Sequence, residues 1–382
     1  MRHLKNVATT VAGLTLALTA LPVATGGSAQ AATELVYGSW PPAVTIQNRV
    51  VLPRIFKEIE AETKGEIKWR LVPGGQLAGP KETFQAASDG VIHAGLGIII
   101  YAPNVSPSLN AIYNYLVFEG ESIQASPAAL ETMTLDCPTC LEEFKKVNIV
   151  PLAGWTTAQY YLACRQPYTK VEDLKGKRIR GTGGPAQLWE LAGAVPVSST
   201  LPESLTLLQR GGLDCMHTTY TWLQTFGYGD FGKNVLDFPL SLSGPAVGLL
   251  LNRDVWKKFT PEQKTLHLKK AALFSAAEAV EEFTTDNKAN LERVKKEKGV
   301  KVIPVEAGGF KDLVAKFDKL QKASIVDSAK KFGVAEPEKL LDAYVRNLAK
   351  WKRLTAGIGT DEKKLADLIW QEIYSKVDIN KL

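Results

Sequence analysis

Glu34-Leu35-Val36-Tyr37-Gly38-Ser39-Trp40-Pro41-Pro42 opens the stretch whose rhythm decides the fold: a short strand run that ends in turn-forming residues. An amphipathic helix is expected next over 47–63, with Val50, Val51, Ile55, Phe56 and Ile59 on one face. A second strand is read at 67–72, closed by Pro73-Gly74-Gly75. Another helix is expected at 80–89, stopped by Gly90, and a buried strand at 94–100. Strand, helix and strand repeated in this way imply a parallel, doubly wound α/β sheet.

The same rhythm restarts after Ile149, with strands expected at 150–155, 160–164, 178–180 and 213–216 and a helix at 186–193. The restart implies two α/β lobes with a boundary near Trp155–Thr157. A second crossing is expected near Gly244, so the lobes are read as 32–156 with 245–284, and 157–244 with 285–382. Thr260-Pro261-Glu262-Gln263 carries an N-cap, a Pro at the first helical position and a Gln three residues on. The helix it opens is expected to run to about residue 294, about 50 Å at 1.5 Å per residue, long enough to lie across both lobes. Three more helices are expected at 310–332, 337–354 and 361–376.

Arg2 and Lys5, the apolar run 7–21 and Ala29-Gln30-Ala31 read as a secretory signal cleaved near Ala31, which implies a periplasmic address. No later run approaches the 18 apolar residues of a membrane span. The formal charge of +6 includes Arg2 and Lys5; without them 44 basic residues face 40 acidic ones. The remaining charges alternate in sign, with no basic block, so nucleic acid is not an expected partner.

Cys137, Cys140, Cys164 and Cys215 allow three disulfide connectivities in an oxidising compartment. Cys137-Pro138-Thr139-Cys140 interrupts a helical stretch and reads as a structural clip, not a redox or zinc site. Proximity favours that local bridge, which leaves Cys164 with Cys215 on either side of Arg180 in sequence. Catalytic signatures are thin: His93, His217 and His267 show no metal-ligand spacing, and no nucleophile elbow, zinc-protease motif or phosphate-binding loop occurs. No metal, cofactor or catalytic role is expected. Gly181-Thr182-Gly183-Gly184 follows a strand and opens a helix, which makes an exposed helix N-terminus suited to an anion.

Four stretches then resemble one family in order and spacing. Asp173-Leu174-Lys175-Gly176-Lys177-Arg178-Ile179-Arg180 is similar to the D-L-K-G-K-x-R motif of the substrate-binding proteins of tripartite ATP-independent periplasmic (TRAP) transporters, the DctP family. Pro73-Gly74-Gly75-Gln76-Leu77 with Asp89-Gly90, the segment from Pro202-Glu203-Ser204 to Leu213-Asp214, and Leu249 to Trp256 resemble three further family segments. The resemblance implies a two-lobed, type II-like periplasmic binding fold with a long helix bridging both lobes. It implies capture of a small organic acid and delivery to the small and large membrane permease subunits. Arg180 falls on the family's carboxylate clamp; Arg178, two residues away on a strand, is expected to face outward.

Tyr160 stands near the place where many acid-binding members carry a second Arg, which points to a monocarboxylate. His217 and Thr218 depart from the pattern of members that bind a metal with a 2-oxo acid. Trp40, Tyr101, Trp189 and Trp222 are placed near strand ends and suggest an apolar or aromatic ligand body. The expected lining is therefore Arg180, Trp40, Tyr101, Gln159, Tyr160, His217, Thr218 and Trp222, in a monomer. Two rival readings are a binding protein for an ATP-driven importer and a periplasmic enzyme in which His217 serves as base.

Overall fold

The computed structural model describes residues 33–382 together with Ala8; the export signal expected over 1–31 lies outside those residues. Two mixed sheets organise the chain. In the first, Ile67–Val72, Thr33–Gly38 and Ala94–Gly97 are neighbours and parallel, as the alternating pattern requires. The strand Ala246–Asn252 then pairs antiparallel with Ala94–Gly97 and with Ile149–Pro151 and Gly154–Trp155. All seven residues of Ala246–Asn252 are buried, matching its unbroken apolar run in the middle of a sheet.

The second sheet runs in the order Lys301–Ile303, Asn234–Leu236, Tyr161–Cys164, Cys215–Thr218, Arg178–Arg180 and Val195–Val197. Arg178–Arg180 is parallel to both its neighbours, whereas Tyr161–Cys164 is antiparallel to both of its own. The all-parallel arrangement expected from the sequence is thus corrected in both sheets. The strands that break it, Tyr161–Cys164 and Ala246–Asn252, are both entered by a short crossing from the other sheet, whereas Lys301–Ile303, reached over the long connection 253–300, pairs parallel with Asn234–Leu236. No helix laid over the same sheet sets their direction, so they enter against the parallel core.

Local spans differ where an apolar run was ambiguous. The strand expected over 94–100 ends at Gly97 and passes into a short 3₁₀ turn, Ile99–Tyr101. The strand expected over 150–155 is two short pieces, Ile149–Pro151 and Gly154–Trp155.

Two crossings run side by side. Thr157 N–H donates to Ser243 O at 3.1 Å, and Ser243 N–H donates to Thr157 Oγ1 at 3.2 Å. A Cβ on Gly244 would stand 2.9 Å from Thr156 Cα, so only glycine lets the two backbones approach this closely. The third connection is the long helix. It opens with the capping box of Thr260 and Gln263, runs through Pro261–Ala277, widens to π-helical turns over Glu278–Asp286, and continues as Asn287–Lys298. Residues 261–298 make it about 57 Å long. Its first half packs on helix Leu52–Glu62 and strand Ala246–Asn252 of the first sheet, and its last part on helix Tyr220–Thr225 of the second.

The C-terminal helices do not group as the sequence suggests. Pro337–Leu354 packs on Ser122–Glu131 and Pro107–Asn114, and Glu362–Glu372 packs on Pro261–Ala277, all on the first sheet's side. Pro337–Leu354 has a one-sided apolar face, Leu340, Leu341, Tyr344 and Trp351, that needs a partner. Its polar anchors fix which partner: Trp351 Nε1 donates to Glu131 Oε2 at 2.6 Å, and Lys350 Nζ to Glu131 Oε1 at 2.8 Å. Ala307–Lys331 touches both sides, against Pro107–Asn114 and Gly184–Leu191.

Both cysteine pairs are bonded. Cys137 caps helix Pro138–Lys146 and is joined to Cys140 within its first turn. Cys164 and Cys215 stand directly opposite each other on adjacent strands of the second sheet.

Candidate functional site

The turn that aims Arg180 is built from Asp173. Its carboxylate accepts the N–H groups of Thr169 at 3.0 Å and Lys170 at 3.1 Å, and these bonds hold its pKa below the usual carboxylate range. Gly176 then takes a φ of +72°, a conformation that favours glycine, and the chain enters strand Arg178–Arg180. Alternation sends the two arginines to opposite faces. Arg178 lies outside and forks onto Asp214, Nη2 to Oδ1 at 2.8 Å and Nε to Oδ2 at 3.0 Å.

Arg180 points inward and is only 6% exposed. Its Nε and Nη2 donate to Ser199 O at 3.3 and 3.1 Å, and Nη2 also donates to the Tyr101 hydroxyl at 3.1 Å. These acceptors are neutral, and among the described residues no carboxylate pairs with the guanidinium. An arginine keeps its charge on burial, so the site holds a desolvated cation without a counter-anion.

Arg180 opens into a narrow cavity of about 30 Å³ between the sheets. Trp40, Tyr101, Tyr113, Trp155, Tyr160, Trp222 and Phe226 supply an aromatic lining, and Leu96, Ile98 and Leu201 add aliphatic surface. Trp40 follows the first strand and is fixed by its Nε1 donating to Leu96 O at 2.9 Å. Tyr101 ends the short turn after strand Ala94–Gly97, and its bond to Arg180 joins the two sides of the cleft. Trp155, Thr157 and Tyr160 come from one crossing; Trp222 lies on helix Tyr220–Thr225, capped by Thr219, and Phe226 follows it.

Five of the residues expected at the site line this cavity: Arg180, Trp40, Tyr101, Tyr160 and Trp222. Three stand apart from it, and Trp189, expected near the cleft, is fully buried outside the lining, its indole bonded to His217. Gln159 turns away and donates to Gly120 O at 3.0 Å. Thr218 donates to its neighbour Thr219 O at 3.3 Å. His217 lies behind Tyr160, ring centroids 4.4 Å apart, and its Nδ1 accepts from Trp189 Nε1 at 3.1 Å. Burial, and then the charge of Arg180, push His217 down to about 3, so its imidazole is neutral at physiological pH.

Sequence reasoning missed Gln47, Tyr113, Trp155, Thr157, Phe226 and Glu282, all on the cavity wall. Phe226 follows Trp222 at helical spacing and was legible in principle. Glu282 belongs to the π-helical part of the long helix, where Oε2 accepts the Gln47 N–H at 3.0 Å. Burial first, and then Asp286, raise its carboxyl to about 7. Glu278, one turn earlier, has both carboxyl oxygens buried without a partner, and burial and Glu282 hold it well above the ordinary carboxylate range.

Just after Arg180 in the chain, Gly183 has a φ of +66°, and a Cβ there would stand 2.1 Å from Asn114 Oδ1; one on Gly184 would stand 2.4 Å from Asn114 O. The glycine turn beside Arg180 therefore meets helix Pro107–Asn114 as bare backbone. Among the described residues, no group of three or more His, Cys, Asp or Glu side chains is placed to hold a metal ion, and no helix is long and apolar enough to cross a membrane.

Residues 41–326 match the profile of bacterial extracellular solute-binding protein family 7. An uncharacterised Salmonella typhimurium protein, YiiZ, is 25% identical over 218 residues, which cover 55% of this chain and 64% of that protein. The chain thus spans somewhat less than two thirds of that curated relative. A marine metagenome TRAP solute-binding protein, described as specific for aromatic acid ligands and holding metahydroxyphenylacetate, is similar with a TM-score of 0.73. It is 21% identical, over 83% of this chain and 99% of its own. A Rhodoferax ferrireducens TRAP solute-binding protein with copurified benzoate also has a TM-score of 0.73, at 16% identity, over 85% of this chain and 99% of its own.

Proposed function

The chain belongs to family 7 of the bacterial extracellular solute-binding proteins, the DctP family, and on that premise we propose that it captures a small organic acid for a TRAP transporter. In this reading the acid sits in the cleft between the sheets and is handed to the membrane permease. One observation carries the reading: a buried guanidinium in an aromatic cavity with only neutral acceptors. A carboxylate supplies the missing charge, matches the planar donors of Arg180, and is the partner that least wastes the desolvation. The aromatic wall suits a monocarboxylate with an apolar or aromatic body.

Residues 32–156 with 245–284, and 157–244 with 285–303, act as two jaws, with the helices after 336 carried by the first. They open and close about the crossings near Thr157 and Gly244, and the acid favours the closed state. The protein is exported, loses residues 1–31 and works as a monomer in the periplasm. It does no chemistry on its cargo: His217 is neutral, sits behind Tyr160 and hydrogen-bonds to an indole, so it offers the cleft no base. A thermal-shift screen tests the reading. Aromatic and aliphatic monocarboxylates should raise the melting temperature, and their uncharged amides should not. Equal shifts from acids and amides would remove the anion from the argument.

A further inference from the structure

Arg180 shares the cavity wall with one carboxyl group, that of Glu282, carried by the π-helical part of the long helix. Glu282 is buried; its Oε2 accepts the Gln47 N–H at 3.0 Å, and its Oε1 takes no hydrogen bond from any described residue. The cations around it are committed elsewhere. Arg49, on the packed segment Gln47–Val51, is exposed and its Nε donates to Val44 O at 3.2 Å. Arg54 pairs with Glu281 and Glu362, Lys288 with Glu121, and Arg293 with Asp286. The bonds of Arg180 go to Ser199 and Tyr101. The remaining ionisable groups of the packed helices bring no free charge: Glu131 of Ser122–Glu131 is held by Lys350, and Tyr220 of Tyr220–Thr225 stacks on Tyr161. On its own helix Glu278, one turn earlier, has both oxygens sealed without a partner, and Asp286 adds a like charge.

The charge balance of the cavity therefore turns on Glu282. With its carboxyl neutral, the wall holds one cation and no anion, and the carboxylate of an acid completes a single pair. With Glu282 ionised, the same acid would make two carboxylates share one guanidinium in a site that excludes water, and two such groups do not both stay charged. The guanidinium favours the charged form of the carboxylate it holds, so the proton falls to Glu282, whose own partner is an uncharged amide. The other groups on the wall do not compete for it. Burial holds Tyr101, Tyr113 and Tyr160 above the ordinary phenol range, and Arg180 keeps its charge. Burial, opposed by the Gln47 N–H, leaves Glu282 at about 7 in the empty cleft.

We infer that capture is coupled to a proton at Glu282: the acid enters as an anion together with one proton from solvent, and Glu282 carries that proton while the cargo stays ionised on Arg180. The inference rests on the organic-acid reading above and adds a pH window to it. Below about pH 6 Glu282 is already protonated and affinity is level; above about 7 the proton must be taken up, and each further pH unit weakens binding by up to about tenfold.

The test uses the mature protein and the tightest binder among benzoate, phenylacetate and hexanoate, whose own carboxyls are ionised above about pH 6. The Kd should weaken by about fivefold or more from pH 6 to 8.5. Calorimetry at pH 7.5 in phosphate and in Tris, which differ in ionisation enthalpy, should count about half a proton or more taken up per acid bound. Glu282→Gln, uncharged at every pH, should remove both effects and above pH 8 should bind the acid more tightly than wild type. If that variant does not fold, the wild-type proton count decides alone. A loss below about fivefold, an uptake below about half a proton, or a pH dependence that persists in Glu282→Gln overturns the coupling and leaves the carboxylate reading intact. Failure of all three acids to bind overturns both.

Discussion

The wall that the first sheet's side gives the cleft is mainly aromatic, with Trp40, Tyr101, Tyr113 and Trp155 and one buried acid, Glu282, whereas the second sheet gives the cation Arg180 beside Trp222 and Phe226. Their support differs in the same sense. Arg180 sits on a strand registered against Cys215–Thr218, which is bonded through Cys215 to Cys164 on the next strand, and its donors are aimed by Ser199 O. The first sheet's only bridge is the local Cys137–Cys140 clip at the start of a helix outside the cavity lining. A charge-assisted bond is directional and loses strength when misaligned, while aromatic contact tolerates small shifts. Rigidity is invested where direction matters.

The largest effect should come from removing that direction. Arg180→Ala should abolish detectable binding of any acid found in the screen, because truncating one partner of a buried charge pair costs about 2–5 kcal/mol, roughly 30- to several-thousand-fold in Kd. Arg180→Lys should fail nearly as badly, since an ammonium lacks the planar donor pair. Binding by Arg180→Ala within about threefold of wild type would mean that the charged wall is not the directional one.

Next comes the staple. Replacing Cys164 and Cys215 by Ala opens a loop whose ends are 51 residues apart, which the chain-entropy model values at about 4 kcal/mol. The melting temperature should fall far more than when Cys137 and Cys140 are replaced, three residues apart. Equal losses would erase the contrast between the two walls.

A smaller effect concerns the helix that joins them. Glu278 and Glu282 carry raised pKa values in the folded protein, so between about pH 4.5 and 7 the native state holds protons that the unfolded chain releases. That contribution is complete below the unfolded pKa and is lost as pH rises. His217 and His267, lowered by burial to about 3 and about 4, act in the opposite sense and destabilise on acidification. The net slope mixes both, so the difference between variants is the clean readout. Glu278→Gln should gain on wild type as pH rises from 4.5 to 8, by about 2 °C or more in melting temperature. A constant difference would show that Glu278 ionises as freely in the folded protein as in the unfolded chain.

The smallest effect is the control for the first. Arg178→Ala loses an exposed fork onto Asp214 on the outer face, which solvent screens, and should leave Kd within about threefold.

Much of this was legible before any coordinates. Ile67–Val72 and Arg178–Arg180 end where the sequence places them, because Pro73-Gly74-Gly75 and Gly176 are unambiguous punctuation. Ile98, Ile99 and Ile100 misled, since an apolar run does not distinguish a strand from a buried turn. Arg180 was found through a motif, and the aromatic residues at strand ends through their positions. Gln47 and Glu282 were not found, because a Glu in a long helix usually marks its wet face. A signal did exist: Ala271-Ala272-Leu273-Phe274-Ser275-Ala276-Ala277 is apolar or small on every side, so an acid just after it has no wet face to occupy. The grouping of the C-terminal helices was illegible because an apolar stripe states that a helix needs a partner without saying which.

If the cleft closes as proposed, the contact of Gly183 and Gly184 with Asn114 gives it a mechanical property. Jaws that meet through long side chains have a cushioned stop, since rotamers yield and the end point spreads over an ångström or more. Here one face of the contact is main chain with no side chain to yield, so the stop is hard and its position is set by covalent geometry. A single added methyl would act as a shim of fixed thickness beside Arg180. On the proposed closure, the gap between the walls would be gauged by this contact and not by the cargo, and an acid too thick for that gap would hold the contact apart.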